Sequence, residues 1–331
     1  MIRNRRVRIA LLAAAPLLAG LIGLFVGSES YSPGEVLGAL FGADDSVARS
    51  IILQLRAPRV VLAFLIGGGL SLSGAVFQAL LRNPLAEPYI LGVSGGAAVG
   101  AVTVIALGIT VLGSWLLPLA AFAGALFAIV LVFRVASAAG QALDVRVLLL
   151  AGVVVGAFFS AVIAFLLSVS DAETIRSAVL WMMGSLAGAG WTDVAIAAVY
   201  TLPCALLLIG LARALNAISV GEETALYLGV EVERVKKIAF GVASLITAAG
   251  VAIAGIIGFV GLVIPHGLRL LVGSDHRTLL PLSFLTGAAF LTLADALARV
   301  VLAPVEIPIG VVTAFVGVPV FLVLLRRRTL G

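Results

Sequence analysis

The sequence contains very little charge. Charged residues make up 11% of the 331 residues, whereas hydrophobic residues make up 62%. An ordinary soluble domain carries roughly 25% charged residues, so this inventory is too small to build a surface that faces water. The low charge therefore excludes a soluble globular protein and predicts that membrane lipid surrounds the chain.

The chain also lacks the residues that most catalytic and metal sites require. Cys204 is the single cysteine, which excludes an internal disulfide and a cysteine metal cluster. Neither Lys236 nor Lys237 follows a glycine, so the Gly-Lys-Ser/Thr core of a phosphate-binding loop is missing. No metalloprotease or serine-hydrolase motif occurs, and His266 and His276 are the only histidines. We therefore expect a chain that is not an enzyme and that binds no metal and no cofactor, with any ATP hydrolysis on a partner chain.

Long uncharged stretches dominate what is present. Several have about the ~20 residues that an α-helix needs to cross the hydrocarbon core, and a longer run, 88–133, divides at Gly108, Gly113 and Pro118. These stretches are apolar on every face, which favours helices over the alternating strands of a β-barrel. The sequence predicts one all-α polytopic membrane domain over 1–331. Its ten transmembrane helices are predicted at 9–28, 60–81, 91–108, 115–133, 147–168, 194–212, 238–254, 256–272, 280–299 and 307–325.

The basic residues indicate how these helices are oriented. An even number of spans puts both termini on one side, and a cytoplasmic location for both leaves 16 of the 21 Lys and Arg residues inside. The net charge of +5 then follows from topology and requires no nucleic acid partner. The first apolar run is long enough to span, so we expect an anchored helix rather than a cleaved signal peptide.

Residues 219–231 are predicted to form a short exposed helix on the cytoplasmic side. Ser219 is a candidate N-cap, Glu222 and Glu223 suit the positive end of the helix dipole, and Gly229 is a natural stop. The helix would carry an apolar face that the loop cannot bury, made of Ala225, Leu226 and Leu228. This face indicates a docking site for a partner protein; the alternative is a helix that lies flat among lipid headgroups.

Two further groups of residues are candidates for function on the outer side. Arg56, Arg59 and Arg299 lie there against the positive-inside tendency, and Asp295 precedes Arg299 by the four residues of an intrahelical ion pair. We expect these arginines either to anchor span ends at the interface or to bind carboxylates of a partner. The uncharged segment 177–192 is too short to span and is predicted to be a re-entrant or half-buried helix.

Several long motifs resemble the FecCD/BtuC-type permeases of ABC importers. They are LRAPRVVLAFLIGGGLSLSGAVFQALLRNPLAEPYILGVSGG at 55–96, GFVGLVIPHGLRLLVGSDHR at 258–277 and DALARVVLAPVEIPIGVVTAFVGVP at 295–319. The resemblance covers about residues 50–327 and implies a BtuC-like fold in a bacterial inner membrane. It further implies a homodimer, two cytoplasmic ATPase subunits that bind ATP and Mg²⁺, and one periplasmic solute-binding protein.

The resemblance also implies roles for single residues. Arg56, Arg59 and Arg299 match arginines that receive acidic residues of the binding protein, and the 219–231 helix matches the loop that contacts the ATPase. The implied ATPase-coupling residues are Glu222, Glu223, Ala225, Leu226, Leu228 and Gly229. The implied pathway and gate residues are Asp144, Val145, Trp181, Met182 and Met183.

The expected substrate is an iron chelate, either a siderophore or haem. Vitamin B12 is the alternative within the same family, although Asp144 and Val145 stand where cobalamin-type members carry small hydroxyl residues. A stand-alone secondary carrier and a membrane scaffold are alternatives of other classes. Carriers usually bury ionisable groups at mid-membrane, whereas Asp295, near an outer end, is the sole acid in a predicted span.

Overall fold

The computed structural model describes residues 2–27, 29, 31–42, 47–109, 111, 115–138 and 145–329. Within these ranges, every regular element is helical. The helices are α1 (Ile2–Phe25), α2 (Pro33–Phe41), α3 (Val47–Ser50), α4 (Ala57–Leu80), α5 (Val93–Leu107), α6 (Leu116–Ala138), α7 (Val145–Ser168), α8 (Ala172–Met182), α9 (Trp191–Gly210), α10 (Ala212–Val220), α11 (Glu222–Tyr227), α12 (Val232–Ala254), α13 (Val260–Val272), α14 (His276–Val300) and α15 (Ile309–Thr329). A π-helical segment, Ile51–Arg56, joins α3 to α4, and Pro88–Leu91 form a 3₁₀ turn before α5.

Helices of spanning length make up most of the described chain. Among the described residues, seven helical stretches are long and apolar enough to cross a membrane; they are Arg5–Phe25, Val47–Leu80, Leu116–Ala138, Arg146–Ser168, Trp191–Gly210, Val232–Ala254 and His276–Val300. Three shorter apolar stretches are Val93–Leu107, Val260–Val272 and Ile309–Leu324. Each predicted segment overlaps one of these stretches. The all-α fold is therefore confirmed, whereas ten crossings and two cytoplasmic termini stay predictions.

Helix α4 lies at the centre of the bundle. Nearly all of its residues after Arg59 are buried, and it packs against α14, α12, α13 and α9. This helix is apolar on every face, which is the pattern of a helix that other helices surround. Helices α6 and α7 are equally apolar but leave most of their surface exposed, so they form the boundary of the bundle.

Glycines allow the backbone of α4 to come into direct contact with neighbouring helices. A Cβ atom placed on Gly67 would overlap the carbonyl oxygen of Gly287 in α14, and one on Gly287 would overlap Ser71. A Cβ atom placed on Gly74 would likewise overlap the carbonyl oxygen of Gly261 in α13. The four-residue spacing of Gly67 and Ser71 predicts such close packing in lipid, where small residues stabilise helix pairs through van der Waals contact.

The chain leaves helical geometry inside the bundle between α12 and α13. Gly255 takes φ 70° after the end of α12, and Phe259 takes φ 68° before α13 begins. The predicted span 256–272 therefore starts too early, because its first residues form this irregular segment and leave a helix of 13 residues.

Side chains from the 83–91 region bind the irregular segment. The Glu87 carboxylate accepts a hydrogen bond from the backbone N–H of Phe259 (2.8 Å), and the Tyr89 hydroxyl donates to the carbonyl of Ile257 (3.0 Å). Non-helical backbone at membrane depth must find partners within the protein, because lipid offers none. Glu87 is thus a partly buried acid with a structural contact, which the sequence analysis missed because it precedes a predicted span rather than lying in one.

We expect Gly67→Ala to destabilise the bundle, because the new methyl group would overlap the backbone of Gly287. Overpacking of this kind costs about 1–3 kcal/mol. Thermal unfolding in detergent micelles can be monitored through the exposure of the single thiol, Cys204. The midpoint temperature of the variant should be lower than that of the wild type.

The matched control is Gly241→Ala in α12, where a Cβ atom would meet nothing within 4 Å. This variant should unfold at the wild-type temperature or slightly above it, since alanine favours the helix more than glycine does. Equal midpoints for the two variants would contradict the packing described for α4.

Candidate functional site

Four charged residues meet at the predicted outer end of α4 and α14. This outer charge cluster consists of Arg59 near the start of α4, Asp295 and Arg299 in the last turns of α14, and Glu306 in the loop between α14 and α15. The two helices run in opposite directions, which brings the start of one beside the end of the other. The cluster therefore joins three separate parts of the chain.

Arg59 binds two carboxylates at once. Its Nε donates to both oxygens of Asp295 (2.9 and 3.1 Å), and its Nη2 lies 2.9 Å from Asp295 Oδ1. Its Nη1 and Nη2 donate to the two oxygens of Glu306 (2.9 and 3.0 Å). Each contact is bidentate and charge-assisted, the strongest class of side-chain hydrogen bond.

Asp295 is the buried centre of the cluster. Its side chain is 1% exposed, and it also lies 3.1 Å from Nε of Arg299, so the structure contains the predicted intrahelical pair. The remaining Nη2 of Arg299 donates to the carbonyl of Gly23 in α1 (2.9 Å). The Asp295 carboxylate thus contacts two guanidinium groups that are themselves largely removed from solvent, and the whole group ties α1, α4 and α14 together.

Arg56, the third predicted docking arginine, binds the backbone rather than a carboxylate. Its guanidinium donates to the carbonyl groups of Leu24 (2.9 Å), Phe25 (3.2 Å) and Glu29, and it lies over the ring of Tyr31 at 5.1 Å. All three predicted docking arginines therefore have partners within the chain. Their docking to a binding protein stays a prediction, and Glu306, 40% exposed, is the most accessible member of the outer charge cluster.

The loop that the sequence predicts on the cytoplasmic side differs from its predicted form. In place of one helix over 219–231, the structure contains α10 and α11, separated at Gly221. The proposed cap, Ser219, lies within α10, and its hydroxyl donates to the carbonyl of Leu215 (2.7 Å). The cap assignment is wrong because this hydroxyl finds its acceptor one turn earlier in the same helix.

The apolar face of this loop is also composed differently. Ala225 is fully buried against Ile218 and Val232, so its assignment to the exposed face is wrong. Leu226 and Leu228 are exposed as predicted, and Tyr227 between them is 91% exposed. We call residues 226–228 the cytoplasmic knob, after the side of the membrane that the sequence predicts for them. Gly229 follows it with φ 79°, the left-handed conformation that favours glycine at the end of a helix.

Glu222 and Glu223 have different environments. The Glu222 carboxylate lies 3.3 Å from Arg82, just past the end of α4, and 3.2 Å from the buried Lys236 of α12. Glu223 is exposed. Glu222 therefore attaches the base of the knob to two long helices, whereas Glu223 presents its charge to solvent.

A second polar contact joins this loop to α14. The Asn216 side chain in α10 donates to Asp275 (2.8 Å) and accepts from the backbone N–H of His276 (2.9 Å). The bonds from Asn216 and from the Arg277 N–H hold the pKa of Asp275 below its usual value. His276 is the buried first residue of α14. No sequence pattern relates Asn216 to residue 275, so this link was missed.

A cavity of about 630 Å³ lies between α8, the irregular segment and α15. Met182 and Met183 line it, together with Phe259 and Phe315, whereas Trp181 packs against the main core. Helix α8 has 11 residues and ends where Gly184 turns the chain with φ 74°. Of the other predicted gate residues, Asp144 and the side chain of Val145 lie outside the described residues.

Comparison with known proteins identifies close relatives over most of the chain. The model of the FecCD transport family matches residues 14–327. The ABC transporter permease protein YvrB of Bacillus subtilis is 44% identical over 296 residues, 89% of this chain and 84% of YvrB. The cobalamin import system permease protein BtuC of Halobacterium salinarum is 43% identical over 289 residues, 87% of this chain and 76% of that protein. A solved structure described as an inward-facing, metal-chelate type ABC transporter superposes with a TM-score of 0.86 at 34% identity, covering 96% of this chain and 98% of that one.

We expect Asp295→Asn to destabilise the protein strongly. The substitution keeps the volume but leaves Arg59 and Arg299 as buried cations with one carboxylate fewer. Breaking a buried ion pair by removing one partner costs about 3–5 kcal/mol. The midpoint of thermal unfolding in micelles measures the loss.

Glu306→Gln provides the comparison, since it removes the exposed carboxylate from the same arginine. An exposed ion pair contributes roughly 0–1 kcal/mol, so this variant should unfold close to the wild-type temperature. A larger loss for Glu306→Gln than for Asp295→Asn would refute the assignment of Asp295 as the centre of the cluster.

Proposed function

The chain belongs to the FecCD transport family, and from that membership we propose that two copies of it form the transmembrane path of an ATP-driven importer for a large metal chelate. The relatives are ABC transporter permeases, and the chain carries several helices of spanning length. It is therefore a multi-pass transport subunit of the inner membrane. The energy for import comes, in this proposal, from two cytoplasmic ATPase subunits.

The observation that carries the proposal is the cytoplasmic knob. Leu226, Tyr227 and Leu228 expose apolar surface next to each other, and the buried Ala225 fixes them to the loop. Contiguous exposed apolar side chains on a rigid base are typical of a protein interaction site. We infer that the knob inserts into a groove of the ATPase subunit.

The contacts of the loop supply a route by which the knob can move the membrane helices. Glu222 connects α11 to α12 and to the end of α4, while Asn216 connects α10 to α14. Both α4 and α14 reach the outer charge cluster. A displacement of the knob by the ATPase would therefore be transmitted to both ends of the bundle, as alternating access requires.

The path itself is proposed to follow the cavity beside α8 and α15. Phe315 and Val318 line this cavity and are exposed on the surface of α15. A second copy of the chain would cover this apolar surface and complete the wall of the path. Met182 and Met183 would then contact the cargo near the entrance of the path, below a periplasmic solute-binding protein.

Two classes of cargo are candidates. Cobalamin is favoured by the name of the Halobacterium salinarum relative. An iron chelate, siderophore or haem, is favoured by Asp144 and Val145, which replace the small hydroxyl residues of cobalamin-type permeases. Both are bulky metal chelates, the broader class named for the superposed transporter structure.

Reconstituted transport tests the function and separates the cargoes. Liposomes containing the permease and the ATPase of its transport system, with the solute-binding protein outside, would be offered radiolabelled cyanocobalamin, a ferric siderophore or haem. We expect ATP-dependent accumulation of one of them. Accumulation driven by an ion gradient without the ATPase would instead identify a secondary carrier, and no flux with any combination would identify a scaffold.

Replacing Leu226 and Leu228 together by serine should detach the ATPase. Truncating two central apolar contacts typically costs a few kcal/mol of binding energy, and each 1.4 kcal/mol is about tenfold in affinity. Co-purification with the ATPase and ATP-driven uptake would both fall by at least about tenfold.

The control is Leu37→Ser in α2, which removes a half-exposed leucine from the predicted outer side. It should retain the ATPase and transport normally. Unchanged ATPase binding by the double knob variant, with wild-type thermal stability in both proteins, would rule out the knob as the coupling contact.

A further inference from the structure

The outer charge cluster contains two carboxylates with unequal attachments. Asp295 is 1% exposed, lies in α14 and is held by both Arg59 and Arg299. Glu306 is 40% exposed, lies in the loop between α14 and α15 and is bound by Arg59. Of the two, Glu306 can leave the cluster at low cost, because water can solvate its carboxylate immediately.

The donors of Arg59 are almost fully used in this arrangement. Of its five N–H groups, the one on Nε and one on Nη2 bind Asp295, while one on Nη1 and the other on Nη2 bind Glu306. One N–H is left, which is too few for a further bidentate carboxylate. An acidic partner can therefore bind Arg59 in a fork geometry only where Glu306 has withdrawn.

The guanidinium is also oriented for such an exchange. The Asp295 contact fixes one edge of Arg59 from inside the bundle, and the Glu306 contact occupies the other edge, toward the surface. Arg59 itself is 12% exposed, so the outward edge is reached through the position that Glu306 fills. A carboxylate from outside would meet a guanidinium that is already immobilised.

We propose that Glu306 is a displaceable internal carboxylate: it occupies the outward edge of Arg59 until a carboxylate on an acidic face of a docking protein replaces it. The partner's identity, a solute-binding protein that meets this face, rests on the proposed function above. The exchange conserves the number of ion pairs at Arg59. Docking through this residue is consequently weak and reversible, and it discriminates against surfaces that lack a protruding carboxylate.

A purely architectural Glu306 would behave differently. If the residue only fastened its loop to α4, and the loop itself covered the outward edge of Arg59, removing its charge would not make Arg59 a better receptor. The two roles are therefore separated by a binding measurement rather than by a stability measurement.

The experiment uses the full-length permease in lipid nanodiscs and a fluorescent hexaglutamate peptide as the acidic probe. Glu306→Gln should bind the peptide more tightly than wild type, on the order of fivefold at low salt, which corresponds to the upper range for an exposed ion pair. The gain should shrink at high salt because of screening. Fluorescence anisotropy measures the dissociation constant.

Glu173→Gln is the matched control. Glu173 is an exposed acid in the first turn of α8 on the predicted outer side, so its loss changes the net charge equally without touching Arg59. A second variant, Arg59→Lys combined with Glu306→Gln, should abolish the gain, since an ammonium group cannot form the fork. Equal affinity in the Glu306→Gln and Glu173→Gln proteins, or a gain that survives Arg59→Lys, would overturn the proposal.

A charge-preserving variant guards against misfolding. Glu306→Asp keeps the acid but shortens it by one methylene, so the bidentate contact weakens and peptide affinity should rise by less than in Glu306→Gln. The peptide assay involves neither ATP nor cargo. Failure of uptake in liposomes would therefore refute the proposed function without altering this result, and failure here would leave the transport result standing.

Discussion

The structure depends on one constraint: inside lipid, every charge and every non-helical backbone group must find its partner within the protein. Asp295 meets this constraint for Arg59 and Arg299, and Glu87 meets it for the irregular segment before α13. Water would otherwise solvate these groups, and hydrocarbon offers no substitute. Several of the polar residues consequently make contacts that join helices distant in sequence.

These contacts also define what can move together. The cytoplasmic knob is attached through Glu222 to α4 and α12, and the neighbouring α10 is attached through Asn216 to α14. Helices α4 and α14 are held to each other by glycine contacts along their length and by the outer charge cluster at the far end. A chain that lacks the Gly-Lys-Ser/Thr phosphate-binding motif thus has rigid elements that extend from its proposed ATPase contact to its proposed binding-protein contact.

The all-α fold was predictable because it follows from composition. The role of Gly229 at a helix end was predictable because such an end favours a residue in the left-handed conformation. Contacts between residues one helical turn apart could also be predicted from the sequence, as the pair of Asp295 and Arg299 illustrates. Contacts between different helices could not. Nothing in the sequence indicates that Arg59 shares Asp295, that Ala225 turns inward onto Val232, or that Glu87 reaches Phe259. Each depends on which helices become neighbours.

The difference between Asp295 and Glu306 shows how one arginine can serve structure and recognition together. A guanidinium has two edges, and Asp295 holds the inner one so firmly that the outer edge keeps its orientation whichever carboxylate occupies it. An exposed arginine would lose side-chain entropy on docking, whereas Arg59 has already lost it during folding. In the proposed exchange, Glu306 lowers the affinity of this prepared edge, so that a docked partner would be released easily. Repeated delivery of cargo requires such release, because a partner bound too tightly would block the next cycle.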